Sequence, residues 1–183
     1  MKVYFSTTPR SEKKLISNIL QAIRENGHLL TSNFIENISQ EEFYSQTPSQ
    51  KQKYFDETTN SIAIADISIF EASTPSIGVG HLINFSVSVE KPTIVLYLKE
   101  KKPFMLEFST FPNLFLKEYK SDSYDSVKEV ISQISTEFAD TRIFNICLTL
   151  QRKTINRMSE ISKKYNIDRS ALIEKLVNEH VRV

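Results

Sequence analysis

Two of the chain's three glycines, Gly78 and Gly80, stand in one short run, S-I-G-V-G, which opens at Ser76 and is followed by His81. Glycine lacks a Cβ, so its backbone can come close to a ligand. A helix that starts there offers unpaired N–H groups to an anion. The same run also suits a plain strand–turn–helix junction in which glycine serves geometry alone. Glu71 lies just before it, a carboxylate that could act in acid–base or nucleophilic chemistry. His81 could enter a pocket behind the glycines or serve only the start of a helix. Other chemistry is thin. His28, His81 and His180 are scattered without metal-ligand spacing, and Cys147 is the single cysteine. An internal disulfide, a cysteine-based zinc cage and a resident metal or cofactor are therefore not expected.

The elements that must position these residues follow from hydrophobic spacing. Residues 2–6 read as a short buried strand. A helix follows, with Leu15, Ile16, Ile19, Leu20 and Ile23 on one face and Gly27 as its stop. Residues 28–34 read as a second strand. The polar stretch 36–51 reads as a surface excursion or lid, residues 52–66 as a helix, and 67–70 as a strand. Residues 71–80 form a loop, 81–91 a helix and 92–98 a buried strand. An irregular stretch follows, then a strand at 113–119 and a helix at 123–138. Strands alternating with helices predict an α/β fold, a small open parallel sheet covered on both faces. Its ligand belongs beyond the carboxyl ends of the strands, which brings residues 6–10 and 71–80 to one rim.

The pattern changes after Asp140. Residues 143–150 read as a strand with Asn145, Cys147 and Thr149 on one face and Phe144, Ile146 and Leu148 on the other. A helix over 152–165 places Ile155, Met158, Ile161 and Tyr165 inside, and Asp168 caps a second helix. About 40 residues cannot bury an adequate core alone, and a lone strand leaves its ladder groups unpaired. Pairing two copies answers both needs, so a homodimer or higher homo-oligomer is expected. A helical hairpin docked on the α/β body is the other arrangement. Net charge is +1 over 183 residues, but residues 142–183 carry +5 and the remainder −4. A basic tail suggests duplex DNA as a partner, although a solvated helical face accounts for it too. Hydrophobic residues make up 40% and charged ones 25%, an ordinary globular balance. No apolar run reaches membrane-spanning length and the N-terminus lacks a signal-peptide core, so no membrane partner and a cytoplasmic location are expected.

Two stretches carry resemblances. Residues 142–181, with their strand–helix–turn order and N-I-D-R-S-A-L-I run, resemble the ribbon-helix-helix module of Arc- and MetJ-type repressors. That resemblance implies a dimer whose ribbon enters the major groove. Asn145, Cys147 and Thr149 would face base edges, with Arg169 and Ser170 at a phosphate. Residues 1–138 resemble the nucleoside 2-deoxyribosyltransferase superfamily, nearest the 2′-deoxynucleoside 5′-phosphate N-hydrolases, through V-Y-F-S-T-T-P-R at 3–10 and the stretch 65–97. This implies a site for a nucleoside or nucleotide-like small molecule, with Tyr4, Thr8, Arg10, Ser76, Gly78 and Gly80 as binding residues and His81 nearby. Arginine suits a phosphate through its planar guanidinium.

The chain departs from that family where the family's chemistry lies. The nucleophilic glutamate position is Leu82 and the general acid–base aspartate position is Thr58. Neither side chain can balance positive charge on a sugar ring. The expectation is therefore a two-domain chain, 1–138 and 139–183, acting as a dimeric DNA-binding transcriptional regulator with a catalytically silent nucleotide sensor. The alternatives are an active deoxyribosyltransferase or deoxynucleotide N-glycosidase with a relocated carboxylate, for which Glu71 is the candidate, and an antitoxin-like or scaffold protein.

Overall fold

The computed structural model describes residues 1–139 and 151–165, together with 172, 173, 175, 176 and 179. The chain divides into two compact units, Met1–Asn145 and Ile146–Val183.

In the first unit β1 (Lys2–Ser6) leads into α1 (Lys13–Glu25), β2 (Leu29–Leu30), α2 (Phe34–Asn37), α3 (Gln40–Ser45) and α4 (Pro48–Ile64). Then come β3 (Ile67–Glu71), α5 (Ile77–Ser88), β4 (Thr93–Leu98), α6 (Phe104–Glu107), β5 (Leu114–Tyr119) and α7 (Tyr124–Ala139). All four strand pairings are parallel, in the order β2-β1-β3-β4-β5. The expected parallel sheet is present, and its order reverses direction beside β1, where open sheets of this kind leave a crevice. Asp66 fixes the entry to this region, accepting from the Lys2 backbone N–H at 2.6 Å.

Side-chain alternation builds two cores. Val3 and Phe5, with Ile67, Ile69, Ile94 and Leu96, meet α1 and α7 through Ile16, Ile19, Ile23, Ile131 and Ile134. Tyr4, Phe70 and Val95 point the other way, against Ile62 of α4 and Val79, Leu82 and Ile83 of α5. The central strands are apolar on both faces for this reason.

Three local differences from the sequence reading have clear causes. The second strand shortens to two residues because α2 begins at Phe34. The 36–51 excursion is largely helical. Ser39 and Thr47 each make a reciprocal capping box, with Glu42 and Gln50, and Pro48 takes the first position of α4. The expected loop over 71–80 ends early, since the Ser76 hydroxyl accepts from Val79 N–H and starts α5 at Ile77. Among the described residues, no helix is long and apolar enough to cross a membrane.

In the second unit, α8 (Arg152–Tyr165) occupies its expected span. Its apolar stripe finds no core within the described residues: Ile155 and Tyr165 are exposed, and Met158 and Ile161 are half-buried. Leu172, Ile173, Lys175, Leu176 and Glu179 are helical, and Leu172 is buried. The expected strand 143–150 lies outside the described residues.

Candidate functional site

The loop after β1 and the first turn of α5 face each other across a cleft of about 540 Å³ at the carboxyl ends of the strands. Ser6, Thr7, Thr8, Pro9 and Arg10 form one side and Pro75, Ser76, Ile77, Gly78, His81 and Leu82 the other. The sequence expectation that these two segments share a rim is met. The Arg10 guanidinium donates to the Pro75 carbonyl and ties the two sides together. Thr8 is buried, its hydroxyl accepting from the Arg10 N–H at 3.4 Å, so it shapes the loop that carries Arg10.

Gly78 and Gly80 are helical, and Gly27 is the residue with glycine's positive φ. A Cβ on Gly80 would meet nothing within 4 Å, and one on Gly78 would meet only the Ser76 hydroxyl at 3.8 Å. Their contribution is a bare first turn beside the cleft rather than a special backbone angle. His81 stands at the edge, its ring centroid 6.2 Å from that of Phe55.

Tyr4 supports the site instead of lining it. It is buried against Phe70, with ring centroids 5.7 Å apart. Burial foremost, and then the neighbouring Tyr54, push its phenol well above the ordinary range, while hydrogen bonds with the Ser6 and Thr58 hydroxyls oppose the shift. Thr58 and Leu82 are both buried. Leu82 belongs to the apolar face of α5 together with Val79 and Ile83, which explains its side-chain type. Leu82 therefore lines the cleft without offering a charge, and Thr58 lies buried behind it, hydrogen-bonded with Tyr4.

Four residues absent from the expected site complete its walls: Phe43, Tyr44, Tyr54 and Phe55. Phe43 packs edge-on to Tyr44 and Tyr54, with centroids 5.4 and 5.6 Å apart. Phe43 and Tyr44 inside an otherwise polar excursion, and Tyr54 and Phe55 on the helix that follows it, were the sequence signal for them. No carboxylate lines this cleft among the described residues.

Glu71 faces elsewhere. Register pairs Ser6 with Phe70, and alternation turns the next residue of β3 toward the α1–α7 face. There it lines a second cleft of about 400 Å³ with Ser11, Ser73, Leu98, Lys101, Tyr119 and Lys120. It is 1% exposed. One carboxylate oxygen accepts from Ser73 N–H at 2.8 Å and Tyr119 O–H at 3.0 Å. The other lies 3.0 Å from the Thr7 hydroxyl and 3.4 Å from that of Ser11. Burial and the adjacent Glu71 charge push the Tyr119 phenol well above its usual range. Glu71 meets the first cleft only through Thr7.

Asn145, Cys147, Thr149, Arg169 and Ser170 lie outside the described residues. His28 is remote from the rim; its ring nitrogens face Ser135 Oγ at 2.7 Å and the N-terminal amine at 3.5 Å. Among the described residues, no cluster of three or more His, Cys, Asp or Glu could hold a metal ion.

Comparison with known proteins places the cleft in context. No family model matches the chain. It is 27% identical over 140 residues to a Thermofilum pendens protein named "Putative 2′-deoxynucleoside 5′-phosphate N-hydrolase 1", covering 73% of this chain and 95% of that one. Among solved structures it resembles a Clostridium botulinum CMP N-glycosidase, with a TM-score of 0.53 and 20% identity, over 75% of this chain and 99% of that one. A conserved Enterococcus faecalis protein aligns at a TM-score of 0.46 and 17% identity, over 73% and 98% of the two chains. The α/β unit thus has a nucleoside 2-deoxyribosyltransferase/N-glycosidase-like fold.

These findings correct the expectation of a DNA-binding transcriptional regulator with a silent sensor. The Thermofilum pendens and Clostridium botulinum proteins, each matched over nearly its whole length, bear the names of enzymes that cleave N-glycosidic bonds, and nothing found supports a DNA partner. The regulator reading rested on tail charge and on a strand outside the described residues, whereas the cleft lies wholly in the matched fold.

Proposed function

We propose that the α/β unit cleaves the N-glycosidic bond of a 2′-deoxynucleoside 5′-phosphate in the first cleft. The observation that carries this reading is the pairing of an aromatic wall with Arg10 and the bare first turn of α5 across one nucleotide-sized space. The base stacks among Phe43, Tyr44, Tyr54 and Phe55. The phosphate meets the Arg10 guanidinium and the positive end of α5, where the Ser76 hydroxyl completes the cradle. The anomeric carbon then lies between the two.

Cleavage breaks the C1′–N bond, and its electron pair leaves with the base, which takes up a proton. His81, at the cleft edge, supplies that proton. Water adds its oxygen to C1′ and releases a proton, giving free base and 2-deoxyribose 5-phosphate. With its proton directed to Glu71, the Thr7 hydroxyl presents a lone pair that orients this water. Leu82 and Thr58 remove assistance worth about 10²–10⁴-fold per acid–base group, so turnover is slow, below about 1 s⁻¹. Exposed Phe104, Met105, Phe108 and Phe111 support self-association of the unit. A cytoplasmic location fits a nucleotide substrate.

The test incubates the full chain with each 2′-deoxynucleoside 5′-monophosphate and separates products chromatographically. Enzyme-dependent release of base, lost in His81→Ala and requiring more substrate in Arg10→Ala, is expected. No release from any deoxynucleotide over a day would overturn the reading.

A further inference from the structure

Glu71 is the one buried charged residue among the described residues, and it is surrounded by hydroxyl and N–H donors rather than a cation. An ionised carboxylate so placed is costly unless its lone pairs are filled. A carboxylate has about four such sites, and four donors stand around this one. No site is left for a sugar carbon or a ligand hydroxyl. Its partners instead come from three strand ends: Thr7 and Ser11 after β1, Ser73 after β3 and Tyr119 at the end of β5.

The Thr7 hydroxyl also lies 2.9 Å from the Glu71 carbonyl oxygen and 2.9 Å from the Ser11 hydroxyl. Between those anchors the loop closes on itself, Ser11 N–H donating to the Thr8 carbonyl at 2.9 Å. Arg10 sits inside that closed turn. We infer that Glu71 is a positioning residue: by gathering Thr7 and Ser11 from the second cleft, it holds the intervening turn so that Arg10 meets a ligand's phosphate in the first. This rests on the nucleotide reading of the first cleft and assigns its phosphate selectivity to a residue outside it.

Glutamine at 71 keeps the shape but puts an N–H₂ where the Thr7 and Ser11 hydroxyls donate, so both lose a charged acceptor and must turn to accept, which loosens their hold on the turn. The experiment measures binding of 2′-deoxycytidine 5′-monophosphate and of 2′-deoxycytidine to the wild type and to Glu71→Gln. It also follows amide hydrogen exchange of residues 7–11 without ligand. The expected result is a preference for the phosphorylated ligand that falls about tenfold in Glu71→Gln. Nucleoside affinity changes less than twofold, and residues 8–11 exchange faster while β4 does not. A general loss of stability would weaken both ligands alike and speed exchange throughout, which overturns the inference, as does an unchanged preference with unchanged exchange. Should Glu71→Gln fail to fold, Tyr119→Phe removes one donor and must shift preference and exchange in the same direction; no shift in either overturns the inference. If the wild type binds neither ligand, the nucleotide reading fails. Exchange in 7–11 then decides whether Glu71 holds the turn, and an unchanged rate there rejects the inference on its own.

Discussion

On the wall of the first cleft stand four aromatic rings, Arg10 and His81, with no carboxylate among the described residues. The second cleft sets Glu71, Glu12 and Asp122 near Lys101 and Lys120. The two lie at the same strand ends and share the loop after β1. They differ because the strand period sends consecutive residues to opposite faces: Tyr4 and Phe70 join one core, while Phe5 and Ile69 join the other. Proximity along a rim therefore does not place two side chains in one site. The parity of the residue in its strand decides which cleft it serves.

The largest effect that sharpens this contrast is on stability. Glu71→Leu leaves the Ser73 N–H without its acceptor and the Thr7 and Tyr119 hydroxyls with only the residue-71 carbonyl and the Ser11 and Ser73 hydroxyls to bond, and urea unfolding should show a loss of about 3 kcal/mol. Arg10→Ala, on the exposed side, should leave unfolding unchanged and weaken nucleotide binding by about 10–100-fold, equivalent to about 1.5–3 kcal/mol by calorimetric titration. A stability loss from Arg10→Ala comparable with that of Glu71→Leu would break the division of labour between the clefts.

How far this division was legible in the sequence depends on the residue. The central strands and the helices α1 and α7 were readable because their apolar spacing is regular and one face of each helix is buried, and α8 by its spacing alone. Arg10 and Ser76 were placed at one rim by the alternation of strands and helices alone. Glu71 was assigned to that rim correctly, but the cleft it faces was not read, although counting by twos from Ile67 and Ile69 would have turned it away from Tyr4. Phe43 and Tyr44 were hidden because the excursion's helices rest on capping boxes, which periodicity does not report. The tail misled for another reason: net charge signals affinity for anions in general, and it outweighed a fold that stands in the first 139 residues.

Smaller effects separate the walls from the floor. Phe55→Ala should weaken nucleotide binding by about 3–10-fold, since one ring contact is worth about 0.5–1.5 kcal/mol, while Lys101→Ala in the second cleft should change it less than twofold. The smallest expected effect is of pH, far from both clefts. Burial foremost, and then the N-terminal ammonium, push the His28 imidazolium below its ordinary value of 6.5. The unfolded chain therefore binds the proton first. This contribution to stability is full above about 6.5 and is lost as pH falls through the lowered folded value. Thermal unfolding followed down from pH 7 should show a decline that His28→Asn flattens.

The most direct measurement of the central claim is a map of backbone amide shifts as a 2′-deoxynucleoside 5′-monophosphate is added to the full chain. The account predicts that perturbations concentrate at Thr8, Arg10, Gly78, Gly80 and His81, with Lys101, Lys120 and Ser121 of the second cleft unmoved. Perturbations centred on the second cleft, or none at millimolar nucleotide, would contradict it.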